Sequence, residues 1–437
     1  MHIVVVGAGP AGLAAASEIL RTGHAATVVE SAEAGGNAVF HSLVPSKVLI
    51  EAAAADPHHP AAWAGWMARQ RRVVAAVAAR AREEIQGARL VRGSARLSRR
   101  NDRVEVVVGD MPIPADGIIL ATGSQQVLVP GAAPDGRRIL LPRAFAALEA
   151  PPPALAVVGA GPTGLEAAAL FARVGSRVTL FTPHERLLPD WSWDISAGLQ
   201  ALYGRLGVDI FYGERIERLE VDGAQIRLYS GRSAFTAPAV FLATGRRPAA
   251  SPDEYAEVGL ATDAAGFLAV DRFGRTSVDG VWAAGDAAGM PLLANKARWQ
   301  GRTAARSALG LPLDPAVSPP AFVEAVYTHP DAARVGRTPG RGLDPGATVW
   351  LARPTSLTYR LALEAVEDVP VVCLVYTAGP RGAVLGAEAF GPRAADLLAP
   401  VALAVAEHLT LDQLTRLPAA SPTIAEWLGD LVPMVGP

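Results

Sequence analysis

Two glycine-rich turns have the residue types and spacing to hold a phosphate. Gly7-Ala8-Gly9-Pro10-Ala11-Gly12 follows the β-branched run Ile3 to Val6 and opens an alanine-rich stretch, and Gly159, Gly161 and Gly164 repeat the spacing. A glycine turn between a strand and a helix lets the backbone approach a pyrophosphate and points the positive end of the helix at it. Glu30 stands 18 residues beyond Gly12, at the end of the apolar run Ala26 to Val29. A carboxylate there accepts hydrogen bonds from a ribose diol. In the second copy the position 18 residues beyond Gly164 is Thr182. A neutral residue at that position removes a repulsion against a 2′-phosphate. Arg177, His184 and Arg186 are close in sequence, so both NADPH and NADH stay open as cofactors, as does the reading of the two arginines as solvated surface charges.

These turns need whole domains around them, and the repeat is that large. Val4 to Ala16 reappears as Val157 to Ala169. Each copy is followed by a second shared turn, Ala121-Thr122-Gly123-Ser124 and Ala243-Thr244-Gly245-Arg246, at the ends of the apolar strands Gly117 to Leu120 and Val240 to Leu242. Pro151-Pro152-Pro153 reads as a linker. A third glycine turn, Val281 to Asp286, introduces a helix expected from Leu293 to about Leu309. After the proline-rich stretch Leu311 to Pro320 come strands at Val371 to Tyr376 and Ala383 to Phe390, then helices from Ala394, which reads as a separate sheet-containing domain.

Composition narrows the functions available. The 437 residues imply two or three domains, and the formal charge of −2 argues against a nucleic-acid surface, leaving a small molecule as the expected partner. One cysteine, Cys373, excludes an intramolecular disulfide, a cysteine-built zinc site and dithiol chemistry within one chain; no metal site is expected. Of 40 basic residues only Lys47 and Lys296 are lysines, leaving 38 arginines. The start of the chain has no signal-peptide pattern and the apolar runs inspected are short, so a cytoplasmic protein without membrane insertion is expected.

With two nucleotide folds, paired Ala-Thr-Gly turns and a Gly-Asp turn, the chain resembles the FAD-dependent pyridine nucleotide-disulfide oxidoreductases. The resemblance runs nearly the full length and includes Gly35-Gly36, Pro45-Ser46-Lys47, Glu166, Ala283 to Asp286, Leu293 to Ala297 and Tyr327-Thr328-His329-Pro330. It implies an α/β fold with two Rossmann-like dinucleotide-binding domains and a C-terminal α+β dimerisation domain. The FAD-binding domain would span 1–150 and 267–316, the NAD(P)-binding domain 151–266 and the interface domain 317–437, in a homodimer. By the same resemblance Gly7, Gly9, Gly12, Glu30, Thr122, Gly123 and Asp286 hold FAD, with Asp286 on the ribityl chain. Gly159, Gly161, Gly164 and Glu166 serve the nicotinamide cofactor, and Gly245, Gly285, Leu293 and Ala294 complete the set. Lys47 and Glu166 match an ion pair beside the flavin N5, where a lysine favours negative charge on the reduced ring. The helix from Leu293 would turn its N-terminal partial charge toward the same ring.

Departures from the family decide the expected chemistry. Two cysteines separated by four residues belong between Gly-Gly and Pro-Ser-Lys, and Ala38 and Leu43 stand at those positions. The family's interface His-Pro-Thr with its glutamate appears as Ser421-Pro422-Thr423-Ile424-Ala425-Glu426, so the glutamate remains without its histidine. Losing both the dithiol and its base excludes disulfide reduction by the family route. The expectation is therefore an enzyme moving hydride between NAD(P)H and FAD and on to a non-disulfide acceptor such as a quinone. Its alternatives are a flavin-dependent dehydrogenase or oxidase of a small metabolite, and a flavin-binding protein without turnover, which the retained Lys47 and Glu166 argue against. His41, between the vacated positions, is read either as a packing residue or as a new acid or base. Glu426 is read as an acid or base entering across a dimer interface, or as a helix N-terminal charge. Cys373 is read as an inert buried side chain.

Overall fold

A computed structural model describes residues 1–57, 60–101, 103–231, 233–313, 321–352, 371–420, 423–429 and 431–434. Its first sheet has the order Val281–Ala283, Gly117–Leu120, His2–Val6, Ala25–Glu30, Arg89–Arg92, with every pairing parallel. Ile3, Val4, Val5 and Val28 are fully buried, as strands covered on both faces must be. The helices Pro10–Arg21 and Ala294–Ala308 pack together on this sheet; a Cβ on Gly301 would lie 2.1 Å from the carbonyl oxygen of Ala11, so only glycine permits the approach. The second of these helices starts and stops within one residue of the expected range.

The second sheet repeats the plan in the order Asp209–Phe211, Arg177–Phe181, Ala154–Val158, Val240–Leu242, Ile139–Leu140, again all parallel. Ile139 and Leu140 are buried at its edge, so the chain crosses to this sheet before residue 151 and before the triple proline. Ser124–Gln126 and Arg246–Pro248 pair antiparallel, joining the segments that follow the two Ala-Thr-Gly turns.

The third unit is a six-stranded antiparallel sheet, in the order Glu324–Val326, Asp331–Gly336, Val384–Gly391, Val372–Thr377, Thr348–Ala352, Val432–Pro433. Helices Ala394–Leu397 and Ala399–Ala406 cover part of it, and Cys373 is fully buried within it. The fold is thus α/β with two dinucleotide-binding units and a C-terminal sheet domain. Among the described residues one run, Gly36–Ala55, is long and apolar enough to cross a membrane, with a mean hydropathy of 1.3 over an 18-residue stretch of it. In the structure it is two helices, Gly36–Phe40 and Leu43–Ala55, broken at His41 and Ser42 and carrying Lys47 to the lining of the cavity described next.

Candidate active site

The two glycine turns have the same construction. Gly7 and Gly159 take positive φ (+102° and +103°), and a Cβ on either would run into the backbone oxygen of Ala121 or Ala243. A Cβ on Gly12 or Gly164 would lie 1.8 Å from the carbonyl of the first glycine of its own turn, which is how helix and strand come to pack so closely. Gly9 and Gly161 face open space instead. Each is the N-cap of a helix that begins with proline and has no side-chain cap, so the first-turn N–H groups are left for an anion. A third uncapped helix begins at Ala294. All three helix ends border one cavity of about 1180 Å³, large enough for an extended dinucleotide. Glu30 lines it too, its carboxylate accepting from the backbone N–H of Ala8 (2.7 Å) and Ala32 (2.8 Å) at the end of its strand. These residues fit FAD and a nicotinamide dinucleotide.

Asp286, expected on the ribityl chain, is held by groups the sequence reading did not single out. Ser124 donates to Asp286 Oδ2 (2.5 Å), and Arg246 donates through Nε to Ser124 Oγ (2.7 Å) and through a terminal nitrogen to the Ser124 carbonyl (2.5 Å). Serine and arginine follow the first and second Ala-Thr-Gly turns respectively, and their partnership depends on the antiparallel pairing of the segments beyond. The sequence signal was the Ala-Thr-Gly turn, whose two four-residue copies differ only at this last position. Thr122 shares a hydrogen bond with the Tyr255 hydroxyl (3.2 Å). Gly285 N–H donates to Gln300 (3.0 Å), fixing the Gly-Asp turn to the helix behind it.

Lys47 and Glu166 come together. Lys47 Nζ donates to Glu166 Oε2 (2.7 Å), while Glu166 Oε1 accepts from the backbone N–H of Tyr327 (3.2 Å). Lys47 Nζ also stands 4.9 Å from the centre of the Tyr327 ring. All three residues line the cavity, together with Ala38, Phe40, His41 and Leu43. Burial, then the charge of Arg143, push the His41 imidazole below its ordinary value, so it is neutral at pH 7.

Other residues named from the sequence stand outside this group or are engaged elsewhere. Lys296 is buried, its ammonium donating to the Gly289 carbonyl, and burial pulls it down to about 8 despite the opposing pull of Asp286. Glu426 is not among the cavity-lining residues of its own chain; its carboxylate accepts from the Thr423 N–H (3.0 Å) at the start of a 3₁₀ turn. Ser421 and Pro422 lie outside the described residues. In the second nucleotide unit Thr182 is buried and its hydroxyl accepts from the His184 N–H (3.3 Å). Arg177 opens the strand that Thr182 follows, so its backbone lies about 16 Å from Thr182 at the usual rise per residue. Arg186 is engaged with Ser196 Oγ (2.8 Å) and the Pro189 carbonyl, with Trp193 against its guanidinium at 4.8 Å.

The chain is similar to known proteins along nearly its whole length. Residues 1–301 match the family model described as pyridine nucleotide-disulphide oxidoreductase, and residues 323–432 match the dimerisation domain of the same family. The chain is similar to dihydrolipoyl dehydrogenase 2 of Haloarcula marismortui, 31% identical over 459 aligned positions covering 97% of this chain and 94% of the other. It is similar also to an NAD(P)H dehydrogenase (quinone) of Mycobacterium tuberculosis, 29% identical over 97% of this chain and 92% of the other. Among solved structures, LpdA of Mycobacterium tuberculosis superposes with a TM-score of 0.88 at 27% identity, covering 98% of each chain. The chain therefore belongs to the pyridine nucleotide-disulphide oxidoreductase family and is an FAD-dependent NAD(P)H oxidoreductase.

Proposed function

We propose that the protein passes electrons from NAD(P)H through FAD to a small non-disulfide oxidant, with a quinone the best-supported class. The observation carrying this reading is that Ala38 and Leu43, at the family's two cysteine positions, border the same cavity as Lys47 and Glu166. The groups for hydride exchange are kept while those for disulfide exchange are gone. Cys373 cannot replace them, being fully buried in the C-terminal sheet. FAD, when bound, supplies a carrier that takes hydride from reduced nicotinamide and releases electrons to an oxidant.

The chain's own groups do the rest. Lys47 offers a compact ammonium that favours negative charge at the ring edge, and Glu166 keeps that ammonium in place. Phe40, Leu43 and Ala38 give the other side an apolar lining suited to a flat, weakly polar acceptor. His41, neutral at pH 7, is able to exchange a proton with the acceptor's oxygen. A homodimer fits the match to the dimerisation domain, and in it Glu426 would face the partner's cavity. The relative named as a quinone dehydrogenase supports the acceptor class, while those named dihydrolipoyl dehydrogenases fit the chain's single cysteine poorly.

Anaerobic mixing with NADH and with NADPH tests the reading. Loss of the oxidised flavin absorbance, reversed by a quinone and unaffected by lipoamide, is the expected result. No bleaching by either nucleotide, or reoxidation by lipoamide alone, overturns it. Bleaching by an organic metabolite instead of NAD(P)H moves the assignment to a metabolite dehydrogenase or oxidase.

A further inference from the structure

We propose that Tyr327, in the C-terminal domain, is a positioning residue for the Lys47 and Glu166 pair, so that this domain helps build the hydride site of its own chain. The inference rests on the reading that Lys47 stands beside the flavin. Tyr327 touches both members of the pair: its ring faces the Lys47 ammonium at 4.9 Å, and its N–H binds the Glu166 oxygen that Lys47 leaves free (3.2 Å). A cation over an aromatic face in a partly desolvated site is held more firmly than in water.

The turn carrying Tyr327 is itself anchored to the helix that bears Glu166 and lies against the one that bears Lys47. Arg173, seven residues beyond Glu166 on helix Pro162–Arg173, donates to the carbonyls of Thr328 (2.7 Å) and His329. His329 Nε2 approaches Glu51 Oε1 to 3.3 Å, and Glu51 lies one turn beyond Lys47 on helix Leu43–Ala55. Asp331 ties the turn together by accepting from the N–H groups of Thr328 (3.1 Å) and His329 (3.2 Å). Lys47 rides a long flexible stem, and the ring limits where its ammonium settles. The backbone bond to Glu166 survives any side-chain change at 327, so substitution there isolates the part played by the ring.

Tyr327→Phe, Tyr327→Trp and Tyr327→Leu in the full-length holoprotein test this with two measurements. One is the rate of flavin reduction by NAD(P)H, and the other the midpoint potential from dithionite titration against a reference dye. The aromatic variants should stay within about twofold of the parent in rate. Tyr327→Leu should slow reduction by about 5- to 30-fold and shift the two-electron reduction equilibrium by the same factor, about 20 to 45 mV more negative, with FAD affinity unchanged. Unchanged rate and potential in Tyr327→Leu would overturn the proposal. So would an equal loss in Tyr327→Phe, which would assign the effect to the hydroxyl. Failure of the parent to react with NAD(P)H counts against the functional reading alone, because the dithionite potential still reports where Lys47 sits. Should Tyr327→Leu not fold, a loss in Tyr327→Phe and Tyr327→Trp beyond twofold still overturns the claim, and their retention alongside a slowed Tyr327→Met upholds it.

Discussion

Lys47 and Glu166 are 119 residues apart in the chain, on helices belonging to different dinucleotide-binding units, and their charged atoms meet at 2.7 Å. The contact therefore exists only when the two units are docked. Replacing Lys47 with Ala should slow flavin reduction by NAD(P)H about 100-fold or more, the lower end of what one well-placed charge contributes. Stopped-flow absorbance in the flavin band checks it, and an unchanged rate removes Lys47 from the mechanism.

Arg246 reaches Asp286 through Ser124, so it should govern FAD retention more than turnover. Arg246→Gln removes a charged donor from a half-buried chain of hydrogen bonds, a change of about 1.5 kcal/mol or more. FAD should bind the refilled apoprotein about tenfold more weakly, measured by quenching of flavin fluorescence. Equal affinity would mean that Asp286 holds its place without the relay.

The guanidinium of Arg186 is occupied by Ser196 and Pro189 and stacked near Trp193. Arg186→Ala should lower thermal stability while changing the ratio of NADPH to NADH efficiency by less than about threefold. A large fall in NADPH use alone would show that the side chain swings out to a 2′-phosphate.

Cys373 is fully buried, and burial pushes its thiol up to about 12, leaving almost no thiolate at neutral pH. Ellman's reagent should find no reactive thiol in the native protein at pH 8 and one per chain in guanidinium. Quinone reduction should also survive Cys373→Ala, since no step uses that sulfur.

Burial holds the Lys296 ammonium down to about 8 in the folded state. The native protein releases this proton near pH 8, whereas the unfolded chain keeps it until about pH 10.4. The unfolded state binds more protons in that window, so this residue's contribution makes stability rise between pH 8 and about 10.4. Comparing melting temperatures of the parent and Lys296→Met across the window should show a smaller rise, or a steeper fall, in the variant. Parallel curves would mean that the amine is not desolvated in solution.

Much of the site was legible in the sequence because its elements are local. A Gly-x-Gly-x-x-Gly turn with a strand before it and a helix after it carries its own geometry, so Gly7, Gly9, Gly12 and their copies were identifiable, as were the strands Gly117–Leu120 and Val240–Leu242. Glu30 followed from its place at a strand end. The absence of a dithiol needed only the count of cysteines. Chain tracing alone could not show which charges are free, because that depends on neighbours distant in sequence. Arg186 looked available beside a neutral Thr182, and only packing revealed that its donors are already engaged. Ser124, Arg246 and Tyr327 sat in recognisable turns, yet nothing local showed their partners: an antiparallel pairing and a turn from the C-terminal domain bring them to Asp286 and Lys47. A backbone motif is encoded by the conformations its own residues allow, whereas a site joining three units is set by the burial and docking of their surfaces.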